Sequence, residues 1–178
     1  SDILCCAGSY TWQDNENTPI ESDIAQDVLN GLRDNPMLSE FGNKAIFFAA
    51  RQQMHASVMY IQVADMDLLI EKHGMKLMEH AADTINACLN ESLRKEEVAT
   101  PVGIGKYALV LQATSAFKAN ILATRLQQAI SGVSFELSGE AIQINLAIGI
   151  TSTESPEKAA QFLTFGEYCI QAQHALNM

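Results

Sequence analysis

The 178-residue sequence has no long hydrophobic run. Its most apolar stretches, Ala45 to Ala50 and Tyr107 to Leu111, fall far short of the ~20 residues that cross a bilayer. Ser1 to Thr11 lacks the basic start of a secretory signal, so no direct membrane insertion is expected and any anchor must lie outside this chain. Basic charge is scarce. Eleven Lys and Arg stand against 21 Asp and Glu, a formal net charge of -10, and no dense cationic cluster exists to neutralise a row of phosphates, which argues against nucleic acid as a partner. Cysteine is sparse. Cys5, Cys6, Cys88 and Cys169 include one adjacent pair and no C-x-x-C spacing, the usage of reduced thiols in a cytoplasmic protein rather than of a disulfide framework or a zinc site. His73, Glu79 and His80 lie close in sequence, but the histidines lack the i, i+4 spacing of a helical zinc pair and read as surface side chains.

What is present describes a globular domain: 48% hydrophobic and 18% charged residues, enough apolar material to build one sizeable core. Residues 1–33 read as a polar arm, in which Tyr10 and Trp12 could dock on the domain or on a partner, followed by a leader helix from Asp23 to Arg33 with Val28, Leu29 and Leu32 at helical spacing. Residues 34–178 read as the domain itself. A helix is predicted from Ser39 toward Met54, carrying Ile46, Phe47 and Ala50, and then a Val/Ile/Tyr-rich strand over 57–64 with Asp65 as a helix cap after it. A short helix broken at Gly74, a long helix from Lys76 to Leu93, and a hairpin of 98–102 with 107–111 around Gly103 to Lys106 follow. Ser115 to Ile130 reads as a helix with a stripe of Ile121, Leu122, Leu126 and Ile130. Strands 133–137 and 141–150 come next, and a helix from Pro156 to Leu176 ends the chain. This alternation predicts the α/β class, α+β in detail, with helices layered on a mixed sheet.

In this order and spacing the sequence resembles the GGDEF family of diguanylate cyclase domains over about Asp34 to Gln173. LSEFGNKAIF at 38–47 is similar to the family's opening Leu-Thr-Gly-Leu-x-Asn-Arg-Arg motif, through Leu38, Asn43 and Lys44. INLAIGIT at 144–151 is similar to its Ser-Ile-Gly strand with Ala147 for the serine. FGEYCIQAQ at 165–173 is similar to its last helix, with Gly166 and Gln173 replacing the acid and the lysine. The resemblance implies a nucleotide-cyclase, ferredoxin-like sheet flanked by helices with an N-terminal helical extension.

The resemblance also implies where catalytic residues should stand, and they are missing. The family's metal-binding acid at the first strand's end falls on Gln62 and its neighbour on Ala64; its guanine-gripping Asn and Asp fall on Ile70 and Glu71. The signature itself reads GIGKY: Gly103, Ile104, Gly105, Lys106 and Tyr107, with Gly105 and Lys106 where the two acids belong. Magnesium sites take their affinity from several negatively charged oxygens. An amide, a methyl group and an ammonium remove that attraction, so no magnesium or other metal and no cyclase activity are expected. Asp65 and Asp67 form an Asp-x-Asp pair three residues too late for the family's position, where the simpler reading is a cap and a first-turn acid.

One family site keeps its character. The inhibitory Arg-x-x-Asp, which binds cyclic di-GMP, falls on Arg94, Lys95, Glu96 and Glu97. A guanidinium can donate in parallel to the guanine N7 and O6 edge, and a carboxylate can accept from N1 and N2; Glu97 keeps the charge with one methylene more. The plain alternative is a solvated helix end. Three readings follow. The first is a regulatory or interaction module of cyclic di-GMP signalling, inactive as an enzyme, with cyclic di-GMP as the ligand of Arg94 and Glu97 and with other domains of a larger protein or a separate protein as partners. The second is a ligand-independent scaffold or homodimerisation domain, and the third a divergent cyclase built on Asp65, Asp67 and Glu71.

Overall fold

The computed structural model describes residues 26, 28–97, 99–153 and 165–176. The arm with Cys5, Cys6, Tyr10 and Trp12, and the first part of the predicted last helix, lie outside the described residues. Residues 28–33 are helical. The Asn35 side chain donates to the Gly31 carbonyl at 2.9 Å, closing that helix.

Helix α1 (Pro36–Arg51) starts earlier than the Ser39 predicted, because a proline whose fixed φ already suits a first turn opens it. Strand β1 (Ala56–Val63) leads to α2 (Met66–His73) and α3 (Met75–Ser92), separated at Gly74 with φ +82. Strands β2 (Thr100–Gly103) and β3 (Lys106–Gln112) form the predicted hairpin. Helix α4 (Ala116–Ser131) is capped by Ser115, whose side chain accepts from the Lys118 N–H at 3.4 Å. The predicted strand over 141–150 is two strands: β5 (Glu140–Gln143) pairs with β4 (Ser134–Leu137), and β6 (Leu146–Ser152) enters the main sheet. Ile144 and Asn145 between them turn the chain from one sheet to the other; periodicity alone does not mark that turn. Helix α5 (Phe165–Leu176) ends the described chain.

The main sheet has the order β2-β3-β1-β6, and its pairings are antiparallel throughout rather than mixed, because the helical crossovers from β1 to β2 and from β3 to β6 return the chain in the same sense but to a non-adjacent place, which leaves strands of opposite sense as neighbours. Both faces are covered, which explains strands that read as continuous apolar runs. Alternate residues serve opposite layers. Met59, Ile61 and Val63 of β1 and Tyr107, Leu109 and Leu111 of β3 pack with Leu77, Ile85, Leu126 and Ile130 from α3 and α4. Val58, Tyr60, Ala108 and Val110 pack with Ile46, Phe165, Cys169 and the helical residues Val28 and Leu32. Phe47 is exposed, because α1 buries the Ala45, Ile46 and Ala49 side. Ile121 of α4 is exposed too: its buried line is Ala119, Ala123, Leu126 and Ile130, a clean i, i+4, i+7, i+11 stripe.

Two places at the edges of a sheet and their chemistry

Central strand β1 and the β2–β3 hairpin bring Gln62, Ala64 and the GIGKY segment together. Lys106 stands across from Gln62 in the β1–β3 ladder, and Ala147 of β6 faces Gln62 on its other side. The two-residue turn Ile104–Gly105 is fastened to the sheet, for Gly105 O accepts from the Val63 N–H at 2.9 Å and Ala64 N–H donates to Asn145 O at 2.8 Å. Gln62 Oε1 is shielded from solvent and meets no donor among the described residues. A cavity of about 350 Å³ opens beside the hairpin. It is walled by Asn30, Gly31 and Asp34 on one side, by Met66 and Ile70 of α2, and by Gly103, Ile104 and Lys106. The apolar Ile70 thus lies in the wall where the resemblance sets a guanine-gripping side chain, and Glu71 is exposed.

These residues do not fit a divalent cation: they offer an amide oxygen beside an ammonium, with no carboxylate at the four positions assigned to metal. Asp65 does stand before α2, but with φ 53 in the left-handed region and with no capping hydrogen bond from its side chain, because a cap reaches the first-turn amides only from extended backbone. Its carbonyl accepts from Leu69 N–H at 3.0 Å instead, while Asp67 lies in the first turn as expected. Asp65, Asp67 and Glu71 do not converge; among the described residues no group of three His, Cys, Asp or Glu side chains is placed to hold a metal ion. His80 is exposed and His73 half-buried. Tyr107, at the signature's last position, is buried in the first core, and burial, followed by the Asp83 charge, raises its phenol above the ordinary value.

The second place lies at the end of α3. Arg94 and Glu97 form a tight turn: Glu97 N–H donates to Arg94 O at 3.0 Å, and Arg94 N–H donates back to Glu97 Oε2 at 3.1 Å. Arg94 Nε lies 3.9 Å from Glu97 Oε1, with the arginine side chain 58% exposed and the glutamate 7%. Glu97 is therefore engaged by its own turn, while the guanidinium reaches outward. A cleft of about 210 Å³ runs from this turn to α4, lined by Ser92, Arg94, Glu97, Thr114, Lys118, Ile121 and Arg125 among others. The Arg125 side chain donates to the Ser92 carbonyl at 2.7 Å, tying α4 to the end of α3. Lys118 and Arg125 were not singled out by the sequence reading. Their only signal was a polar i, i+7 line on a helix read for its apolar stripe.

A hairpin set against the end of a central strand, in an antiparallel sheet with helices on both faces, defines a nucleotide-cyclase type of α/β domain. The chain belongs to the GGDEF family: the family model "Diguanylate cyclase, GGDEF domain" matches residues 24–175, which places it among the domains of cyclic di-GMP signalling proteins. Solved structures share the fold. The GGDEF domain of YfiN (also TpbB) from Pseudomonas aeruginosa is 19% identical with a TM-score of 0.70, covering 80% of this chain and 86% of that one. The active GGEEF domain of a diguanylate cyclase from Vibrio cholerae is 18% identical with a TM-score of 0.69 and the same 80% and 86% coverage. The GGDEF domain of DgcB from Caulobacter crescentus, in complex with c-di-GMP, is 11% identical with a TM-score of 0.64, covering 78% and 79%. No curated protein sequence matches the chain. No helix among the described residues is long and apolar enough to cross a membrane.

Proposed function

We propose that this GGDEF domain is a regulatory module that does not turn over GTP and that takes cyclic di-GMP in the cleft at Arg94. The observation that carries the reading is the contrast in charge between the two places. Beside the hairpin an ammonium, Lys106, faces an amide where metal-bound triphosphate chemistry calls for carboxylates. At the other end of the fold Arg94, Lys118 and Arg125 line one cleft, a set able to grip phosphate and the acceptor edge of guanine. DgcB, with the same fold, is seen with c-di-GMP.

The cleft is smaller than the ~300–1,000 Å³ that enclose a drug-sized ligand. A cyclic dinucleotide would insert one base and phosphate and lie with the rest over the surface. Because the Glu97 carboxylate already serves the Arg94 backbone and guanidinium, the cations supply the grip and Glu97 holds Arg94 in position. Partners would be other domains of a larger protein or a separate protein that reads the liganded state.

Titration calorimetry tests this directly. Cyclic di-GMP should bind the wild type with micromolar affinity, and Arg94→Ala and Arg125→Ala should each weaken it at least ~10-fold, the size of losing a charge-assisted bidentate contact. GTP with Mg²⁺ or Mn²⁺ should give no product above a blank. Absence of heat with cyclic di-GMP, or product from GTP, would overturn the reading.

A further inference from the structure

A third surface is neither the hairpin cavity nor the cleft. Helix α1 buries Leu38, Ala45, Ile46 and Ala49, yet the flank about 100° round from that face exposes Met37 at 86%, Phe41 at 48% and Phe48 at 50%. At ~100° per residue these three positions fall within a narrow arc of one helix face. Large apolar side chains in one line on a chain with only 7% aromatics are not the scattered singles that any surface carries. Met37 and Phe41 continue into a groove of about 620 Å³ floored by Leu38 and Val110, and among the described residues its charged lining is Asp34 and Glu96, with no Lys, Arg or His. Of the two cations at the edge of that face, Lys44 is held by Glu40 at 3.0 Å and Arg51 lies in the last turn, beyond Phe48.

The acidic rim decides the occupant. A second copy of this chain brings another net -10 and the same acidic rim. Residues 1–25 carry Asp2, Asp14, Glu16, Glu21 and Asp23 with no Lys or Arg, so that segment is repelled as well. Anionic lipid is excluded by the same sign. A segment with an apolar stripe and flanking cations meets both the floor and the rim. We propose that the α1 groove is the docking site for a basic amphipathic helix of a partner protein. Its apolar residues lie along Met37, Phe41 and Phe48, and its Lys or Arg side chains meet Asp34 and Glu96. Glu96 sits on the turn whose Arg94 and Glu97 face the nucleotide cleft, so the partner is held beside that cleft without sharing it.

The test uses a fluorescein-labelled peptide of about 18 residues, five helical turns, with leucines at i, i+4, i+7 and i+11 and lysines flanking them, and no tryptophan. A second peptide has every lysine replaced by glutamate. In fluorescence anisotropy the basic peptide should bind the full chain with micromolar affinity and the acidic one at least ~10-fold more weakly, and added salt should narrow the difference. Met37→Gln, at a position too exposed to affect folding, should weaken the basic peptide at least ~5-fold, and Phe41→Gln should add to it. Arg94→Ala should bind the peptide as the wild type does, whatever its effect on cyclic di-GMP. Equal binding of the two peptides, or binding indifferent to Met37→Gln and Phe41→Gln, overturns the proposal. So does loss in Arg94→Ala. A concentration-dependent dimer abolished by Met37→Gln would assign the groove to a second copy and overturn it, and a shift of Trp12 emission in Met37→Gln without peptide binding would assign it to the N-terminal residues.

Discussion

Gly105 illustrates how single residues hold the hairpin in its present state. Its φ is +66, and a Cβ there would lie 2.8 Å from Met66 Sδ and 2.9 Å from Met78 Cε. The position to which the family assigns an acid is thus closed by two methionine tips and by backbone conformation together. Gly105→Asp should lower stability by about 1–3 kcal/mol, from the left-handed backbone and the crowding. On the function proposed above it should also give no turnover of GTP, because Lys106 and Gln62 remain opposite each other. Urea unfolding of the variant checks the first statement and a GTP turnover assay the second; unchanged stability would mean the methionines move aside at no cost. Arg94 and Glu97 show the opposite case, a pair whose meaning changes with geometry. As sequence they read as donor and acceptor for a base, whereas folded, the acceptor is turned inward onto its own helix end.

At the scale of elements, α5 is locked to the sheet and to α1. Asn43, one of the residues that carried the family resemblance, accepts from the Phe165 N–H through Oδ1 at 2.7 Å, so a motif residue on one helix starts another. Gly149 of β6 lets the α5 backbone approach: a Cβ there would sit 1.7 Å from Ala172 O and 3.1 Å from Leu176 N. Backbone cannot yield as a side-chain tip can. Gly149→Ala should cost more than about 3 kcal/mol, seen as a large loss in thermal midpoint, or as failure to fold. A loss below ~1 kcal/mol would show that α5 slides away from β6 freely. Gly31 makes a similar approach, with its would-be Cβ 2.1 Å from Val102 O, and so seats the helical residues 28–33 against the signature hairpin.

For the whole molecule, folding is linked to pH through Tyr107. Its phenol is raised above the ordinary tyrosine value, first by burial and then by Asp83. A raised folded value means the native state holds its proton where the unfolded state has released it. The contribution is therefore fully present below about pH 10 and is lost as pH climbs through the folded value. Denaturant unfolding at pH 8 and at several points above pH 10 should show wild-type stability falling more steeply than that of Tyr107→Phe. Parallel curves would mean that the phenol titrates alike in both states. Cys169, raised by its own burial, contributes in the same direction and is common to both proteins, so it cancels from the comparison.

Much of the fold was legible in the sequence because it depends on local rules. Period-2 and period-3.6 patterns marked the strands and helices, Gly103 and Gly105 the hairpin, and Leu38, Asn43 and Ile148 to Ile150 the family. That Gln62, Ala64, Gly105 and Lys106 carry no carboxylate, where the resemblance sets acids, was equally plain, since charge is a property of the residue itself. Only the tertiary structure decided which apolar side chains face solvent: Ile121 fits a stripe on paper, and the neighbours available to α4 settle which edge of the stripe is covered. It also decided that 141–150 divides between two sheets, that Lys118 and Arg125 join Arg94, and that Asp34 and Glu96 border one apolar groove. These are meetings of residues distant in sequence, fixed by packing rather than by any local preference, and the candidate ligand and partner sites are made of them.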